Sequence, residues 1–93
     1  MEKCFKISGR VQRVGFRYWA TDVAKNIGGL SGYVCNLHDG DVLIYVSGQD
    51  HLIGLFQQFL YKGPLFARVD AVIETPELIS LFPPIIDGVF KRL

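Results

Sequence analysis

The chain is poor in the features that most quickly betray a function. Ten basic and nine acidic side chains over 93 residues leave a formal net charge of +1, and the pI is near 7.8. Such a balance excludes a broad electrostatic attraction to nucleic acid or to a membrane surface. Any anion must therefore be met by a few placed cations. Cysteine is scarce, with only Cys4 and Cys35, whereas small disulfide scaffolds use more and space them in frameworks. The two cysteines and the two histidines, His38 and His51, fall in no zinc-ligand spacing. No apolar run reaches the length of a bilayer span. Met1-Glu2-Lys3 passes directly into a strand-like pattern, without the apolar centre of a secretory signal. These absences lead to the expectation of a cytoplasmic protein with no membrane or nucleic-acid partner.

What is present is the composition of a folded domain: 49% hydrophobic and 20% charged residues. The length leaves room for one core, so residues 1–93 are expected to form a single domain. Between Cys4 and Gly9, Phe5 and Ile7 alternate with Lys6 and Ser8, the period of a first strand. At Phe16 the period changes. Phe16, Trp19, Ala20, Val23, Ala24 and Ile27 recur at helical spacing, and Gly28-Gly29 supplies a stop.

Leu30–Asn36 and Asp41–Ser47 read as two strands joined by a turn containing Asp39-Gly40. Asp50 is placed to cap a second helix, with Leu52, Leu55, Phe56, Phe59 and Leu60 as its apolar stripe and Gly63-Pro64 as its end. Arg68–Glu74 alternates as a fourth strand, and Val89–Leu93 has room for a short fifth. The proline-bearing stretch from Pro76 to Gly88 reads as a loop. Its crowd of apolar side chains must either fold over an open part of the core or form a self-association patch; the first is favoured, and with it a monomer. The order βαββαβ predicts an α+β, ferredoxin-like sandwich, two helices on one face of a mostly antiparallel sheet of four to five strands. Topology alone leaves function open, because enzymes, metal carriers and RNA binders share it.

The informative stretch is the turn from Gly9 into the first helix, GRVQRVGFR. No Ser, Thr, Asp or Asn stands there to accept the free N–H groups of the helix start, and Gln12 is a poor cap. Those donors and the positive end of the helix dipole converge on a place suited to an anion. Arg17, in the first turn, can add a bidentate grip on a phosphoryl or carboxylate group. Read from these residues alone, two possibilities stand open: a bound anion, or water on the donors with Arg17 an ordinary surface cation.

Ile7-x-Gly9-x-Val11-Gln12-x-Val14-x-Phe16-Arg17 resembles the first signature of the acylphosphatase family. Gly32-Tyr33-Val34-Cys35-Asn36, followed by Gly40-x-Val42 and Gly48, resembles the second at the expected spacing, and Gly63-Pro64-x-x-Ala67-Arg68-Val69-x-x-Val72 is similar further on. The likeness runs from about Phe5 to Glu74. It implies hydrolysis of the carboxyl–phosphate anhydride of small acyl phosphates. It further implies that Arg17 binds the phosphate, that Asn36 orients the attacking water, and that Gln12, Arg13, Val14, Gly15 and Phe16 form the substrate-binding backbone cradle.

Two positions depart from the family. Arg13 stands where the family has glycine, and Cys35 where a basic residue is common. Cys35-Asn36 is also similar to the acylphosphatase-like N-terminal domain of hydrogenase-maturation carbamoyltransferases. Arg13 raises the alternative of an impaired or non-catalytic phosphate-binding module; the expectation is a loop of unchanged form with weakened catalysis.

The chemistry asks for little more. A carboxylate leaves an acyl phosphate without being protonated, so no strong general acid is required. The loose phosphoryl-transfer transition state is served by charge stabilisation and positioning. Each well-aimed donor is worth roughly 3 kcal/mol in comparable sites. The scheme calls for no metal and no cofactor. His38, in the turn, His51, beside the second helix start, and Cys35 read first as ordinary turn, surface and strand residues. Tyr33 and Tyr45 lie on strands where RNA-binding domains of this topology stack bases, yet no RNP-like string accompanies them.

Overall fold

The computed structural model describes residues 1–93. Its elements are β1 (Glu2–Arg10), α1 (Phe16–Ile27), β2 (Ser31–Asn36), β3 (Val42–Ser47), α2 (Asp50–Lys62), β4 (Arg68–Glu74), a 3-10 helix (Pro76–Leu81) and β5 (Phe90–Arg92). The five strands form one sheet in the order β4-β1-β3-β2-β5. β1 pairs antiparallel with β3 and β4, and β2 pairs antiparallel with β3, while β5 runs parallel to β2 with Gly32 opposite Phe90. This is the ferredoxin-like arrangement expected from the alternating periods, with the fifth strand present.

The alternation along each strand sorts side chains between two faces. Phe5 and Ile7 of β1, Val34 of β2, and Val42, Ile44 and Val46 of β3 point into one cluster. The helices close that cluster with Phe16, Ala20 and Ala24 from α1 and Ile53, Phe56 and Leu60 from α2. Phe56 meets Phe90 edge-on at 5.6 Å, so β5 is tied to the core as well as to the sheet edge. Trp19 packs on the margin of the cluster, its ring perpendicular-leaning to Phe16 at 5.3 Å.

The opposite face of the sheet is also covered. Cys4, Leu43, Tyr33 and Tyr45 are buried although they point away from the helices. The segment after β4 lies over them: Phe82 stacks on Tyr33 at 6.1 Å and tilts against Tyr45 at 5.4 Å. Tyr33 donates its hydroxyl to the Pro84 carbonyl at 2.7 Å, and Tyr45 donates to the Glu2 carboxylate. Burial and that carboxylate push the Tyr45 hydroxyl up to about 12. The two tyrosines are thus occupied inside the fold and present no open ring face for base stacking.

Three local features differ from what the sequence pattern predicts. Residues 76–81 form a 3-10 helix where a loop was expected, started by Pro76 with its fixed φ and followed by the extended residue Phe82. The N-cap of α2 is Gln49, in extended conformation, and Asp50 is the first helical residue, where its charge meets the helix dipole instead of capping it. β1 begins at Glu2, earlier than the alternation suggests, because its first residues pair with the end of β3, Glu2 opposite Ser47. No helix is long and apolar enough to cross a membrane.

Candidate active site

Two buried side chains pin the turn between β1 and α1. Val11 and Phe16 are each 1% exposed, so residues 12–15 must complete the connection in a short arc. That brevity demands unusual backbone conformations. Gly15, the N-cap of α1, has φ 77° and ψ 19°, the left-handed region. A Cβ added there would meet nothing within 4 Å, so glycine is required for its conformation and not for space. Arg13 has φ 62° and is the only non-glycine residue with positive φ. Left-handed and ordinary residues therefore alternate through 13, 14 and 15, the pattern that turns successive N–H groups toward one concavity.

Those donors are free of protein partners. The first helical hydrogen bond of α1 runs from Trp19 N–H to the Gly15 carbonyl at 3.0 Å, and no side chain caps the helix. The N–H groups of residues 13 to 18 thus have no protein acceptor and lie at the positive end of the helix dipole. The loop keeps the form expected of it although Arg13 replaces glycine, at a cost of roughly 1 kcal/mol for a left-handed side-chain-bearing residue.

Gln12 braces the arc from outside. Its amide nitrogen donates to the Leu37 carbonyl at 2.7 Å and to the Asp41 carbonyl at 2.9 Å, tying the loop to the β2–β3 turn. That turn carries Asn36 at its base, as the last residue of β2. One side chain thereby ties the two signatures to each other, in addition to the pairing of their strands through β3. Asp39 and Asp41 both face Lys6, at 2.8 and 3.3 Å, and the Lys6 ammonium holds the Asp39 carboxyl below its ordinary value.

The far side of the site is built by β5. Arg17 donates from Nη1 to the Leu93 main-chain oxygen at 3.2 Å, while Leu93 N–H donates to the Val34 carbonyl at 2.8 Å. The Arg92 guanidinium lies 3.6 Å from the centroid of the Tyr18 ring. Thr21 returns its hydroxyl to the Arg17 carbonyl at 2.8 Å, closing the first turn of α1.

Arg17 and Asn36 line one cavity of about 190 Å³, together with Val11, Arg13, Gly15, Phe16 and Tyr18. Two of these seven residues are cations and none is a carboxylate. Other cavities, of about 220, 390 and 480 Å³, are larger but contain no residue of either signature. Of the expected cradle, Arg13, Gly15 and Phe16 line the cavity. Val14 packs against the core and Gln12 points its amide at the hairpin. Val11, Tyr18 and the β5 contacts were not singled out in the sequence. Tyr18 follows the site arginine directly and was legible in principle; the β5 contacts were not, since no local pattern records them.

Cys35 is half-buried beside this site. Burial pushes its thiol up, and the nearby Arg17 charge pulls the other way with smaller effect. His38 is exposed in the turn, and His51 is exposed at the start of α2. No three His, Cys, Asp or Glu side chains converge as a metal-ligating group anywhere in the fold.

The family model for acylphosphatase matches residues 3–79. The chain belongs to the acylphosphatase family. The acylphosphatase of Aliivibrio fischeri is 43% identical over 68 residues, covering 73% of this chain and 74% of that one. The crystal structure of the acylphosphatase from Bacillus subtilis superposes with a TM-score of 0.79 at 29% identity, covering 99% of this chain and 97% of that one. The structure of HypF from T. kodakarensis matches with a TM-score of 0.78 at 33% identity, but this chain spans only 12% of its length. The chain is an acylphosphatase, and acylphosphatases cleave the carboxyl–phosphate anhydride bond of small acyl phosphates.

Proposed function

We propose that Arg17 and the N–H groups of the 12–17 loop hold the phosphoryl group while Asn36 orients the attacking water. The observation that carries this reading is the single cavity shared by Arg17 and Asn36, set at a helix start whose N–H groups have no protein acceptor. A phosphoryl dianion fits both features, and no carboxylate lines the cavity to oppose it.

The reaction needs one bond made and one broken. The water oxygen attacks phosphorus opposite the carboxylate, the P–O bond to the acyl group breaks, and its electron pair leaves with the carboxylate. The water's proton passes to a phosphoryl oxygen, so the products are a carboxylate and dihydrogen phosphate. Asn36 takes no proton; its side-chain carbonyl accepts a hydrogen bond from the water and so holds it in line. Arg17 and the loop donors stabilise charge on the equatorial oxygens as the transition state loosens.

In this reading the protein works as a monomer in the cytoplasm, without metal or cofactor. Its two free cysteines fit a reducing compartment. Nothing in the fold or among the relatives favours a non-catalytic phosphate-binding module. Release of inorganic phosphate from benzoyl phosphate by the purified chain, with and without EDTA, tests the proposal. Turnover that survives EDTA supports it. Turnover that collapses with EDTA and returns with Mg²⁺ contradicts the metal-free scheme.

A further inference from the structure

Arg13 is a second cation on the cavity that holds Arg17, and nothing in the protein engages it. It takes part in none of the four ion pairs of the fold. Arg17, by contrast, is half-buried and committed to the Leu93 oxygen. The two arginines therefore occupy different levels of the site: Arg17 at the helix start, Arg13 exposed on the rim of the loop. We propose that Arg13 is a specificity residue that favours acyl phosphates whose acyl portion carries a second negative charge. The inference rests on the acylphosphatase reading given above.

Three considerations place Arg13 at the acyl end and not on the phosphoryl group. First, the left-handed backbone at Arg13 belongs to the pattern in which the N–H groups line the concavity, so the side chain starts from its edge. Second, the phosphoryl group already has Arg17 and a row of N–H donors at the helix start. Third, the acyl group must leave the cradle on the open side, past the rim, since the core closes the other side with Val11 and Phe16. An anionic group on the acyl chain would there meet an unpaired guanidinium and no competing carboxylate among the lining residues. A neutral acyl group gains nothing from that charge.

A glycine would adopt φ 62° freely, so the arginine stands there against local conformational preference. A cation at the rim also acts on encounter, drawing anionic substrates toward the cavity and weakening with salt.

The test compares succinyl phosphate, whose acyl group ends in a carboxylate, with benzoyl phosphate, whose acyl group is neutral. Both carry the same phosphoryl group, so any change in phosphate grip cancels in the ratio of their kcat/KM values. Arg13→Gly, which the loop backbone accommodates, is expected to lower the succinyl-to-benzoyl ratio by about fivefold or more, and Arg13→Glu to lower it further. Arg13→Lys is expected to keep most of the wild-type ratio. On benzoyl phosphate alone the glycine variant is expected to be the faster enzyme, by up to about tenfold, because the cradle relaxes. The wild-type preference should shrink as sodium chloride is raised. A ratio that moves by less than twofold in both Arg13→Gly and Arg13→Glu overturns the proposal. So does an equal loss on both substrates, which would make Arg13 a phosphate ligand. Wild-type protein that hydrolyses neither compound would instead overturn the acylphosphatase reading on which the proposal stands.

Discussion

Arg17 and Leu93 stand 76 residues apart in sequence, yet the guanidinium of one donates to the main-chain oxygen of the other at 3.2 Å. The contact brings Leu93, the residue after β5, to the site. The strand is short, three residues long, and is held by Gly32–Phe90 pairing and by Phe90 against Phe56. Its grip on the arginine therefore depends on a buried ring some distance from the chemistry.

Phe90→Ala should expose that dependence. Removing a ring that is 4% exposed is expected to cost about 3 kcal/mol of stability, read by urea denaturation. In the folded variant, inhibition by inorganic phosphate should weaken several-fold, because Arg17 loses its fixed partner. Stability lost with phosphate inhibition unchanged would mean that β5 serves the fold alone.

Asn36→Ala separates orientation from binding. The residue ends β2, is exposed, and lines the cavity with Arg17. Orienting water matters in the transition state and not in the ground state, so kcat should fall far more than phosphate inhibition weakens. Parallel losses would identify Asn36 as a phosphate ligand.

Gln12→Ala should loosen the loop from the β2–β3 turn. Two hydrogen bonds of 2.7 and 2.9 Å are removed, at an expected cost of about 1–2 kcal/mol in stability. The loop is then less firmly tied to Asn36, and kcat should drop along with stability. A variant as active as wild type at low temperature would show that the brace is dispensable for catalysis.

Cys35 should react slowly. Burial raises its thiol pKa above the ordinary value despite the Arg17 charge. The thiolate is the reactive form, so at neutral pH less of it is present than for a free cysteine. Alkylation by iodoacetamide is expected to rise with pH along a profile displaced to higher pH. Arg17→Gln, which removes the one opposing influence, should displace it further. A profile below that of free cysteine would show Arg17 to be the stronger influence.

Much of the fold was legible because its signals are local. The change from alternation to helical spacing at Phe16, the Asp39-Gly40 turn and the Gly63-Pro64 stop each act within a few residues. That Arg17 and Asn36 line one cavity was foreshadowed for a similar reason: each sits near the end of an element within a recognisable string. What escaped was non-local. Nothing near Phe82 in sequence announces that its ring covers Tyr33 and Tyr45, and nothing near Gln12 announces the carbonyls of Leu37 and Asp41. The 3-10 helix is not announced locally, because Pro76 and the prolines after the helix mark an interruption without specifying the turn that follows. Asp50 sits one residue past the cap position that its type suggests, since a capping residue and a first-turn acid are the same residue types.

The most direct measurement is phosphate release from benzoyl phosphate by wild-type protein and by Arg17→Gln, with circular dichroism recorded for both. Arg17 is half-buried and contributes one side-chain hydrogen bond to the fold, so its replacement should leave the spectrum unchanged. Hydrolysis is expected to fall by a factor of at least about a hundred, the scale of losing one aimed donor at a charged transition state. A variant with the wild-type spectrum and a rate within a few-fold of wild type would contradict the assignment of the phosphoryl group to Arg17.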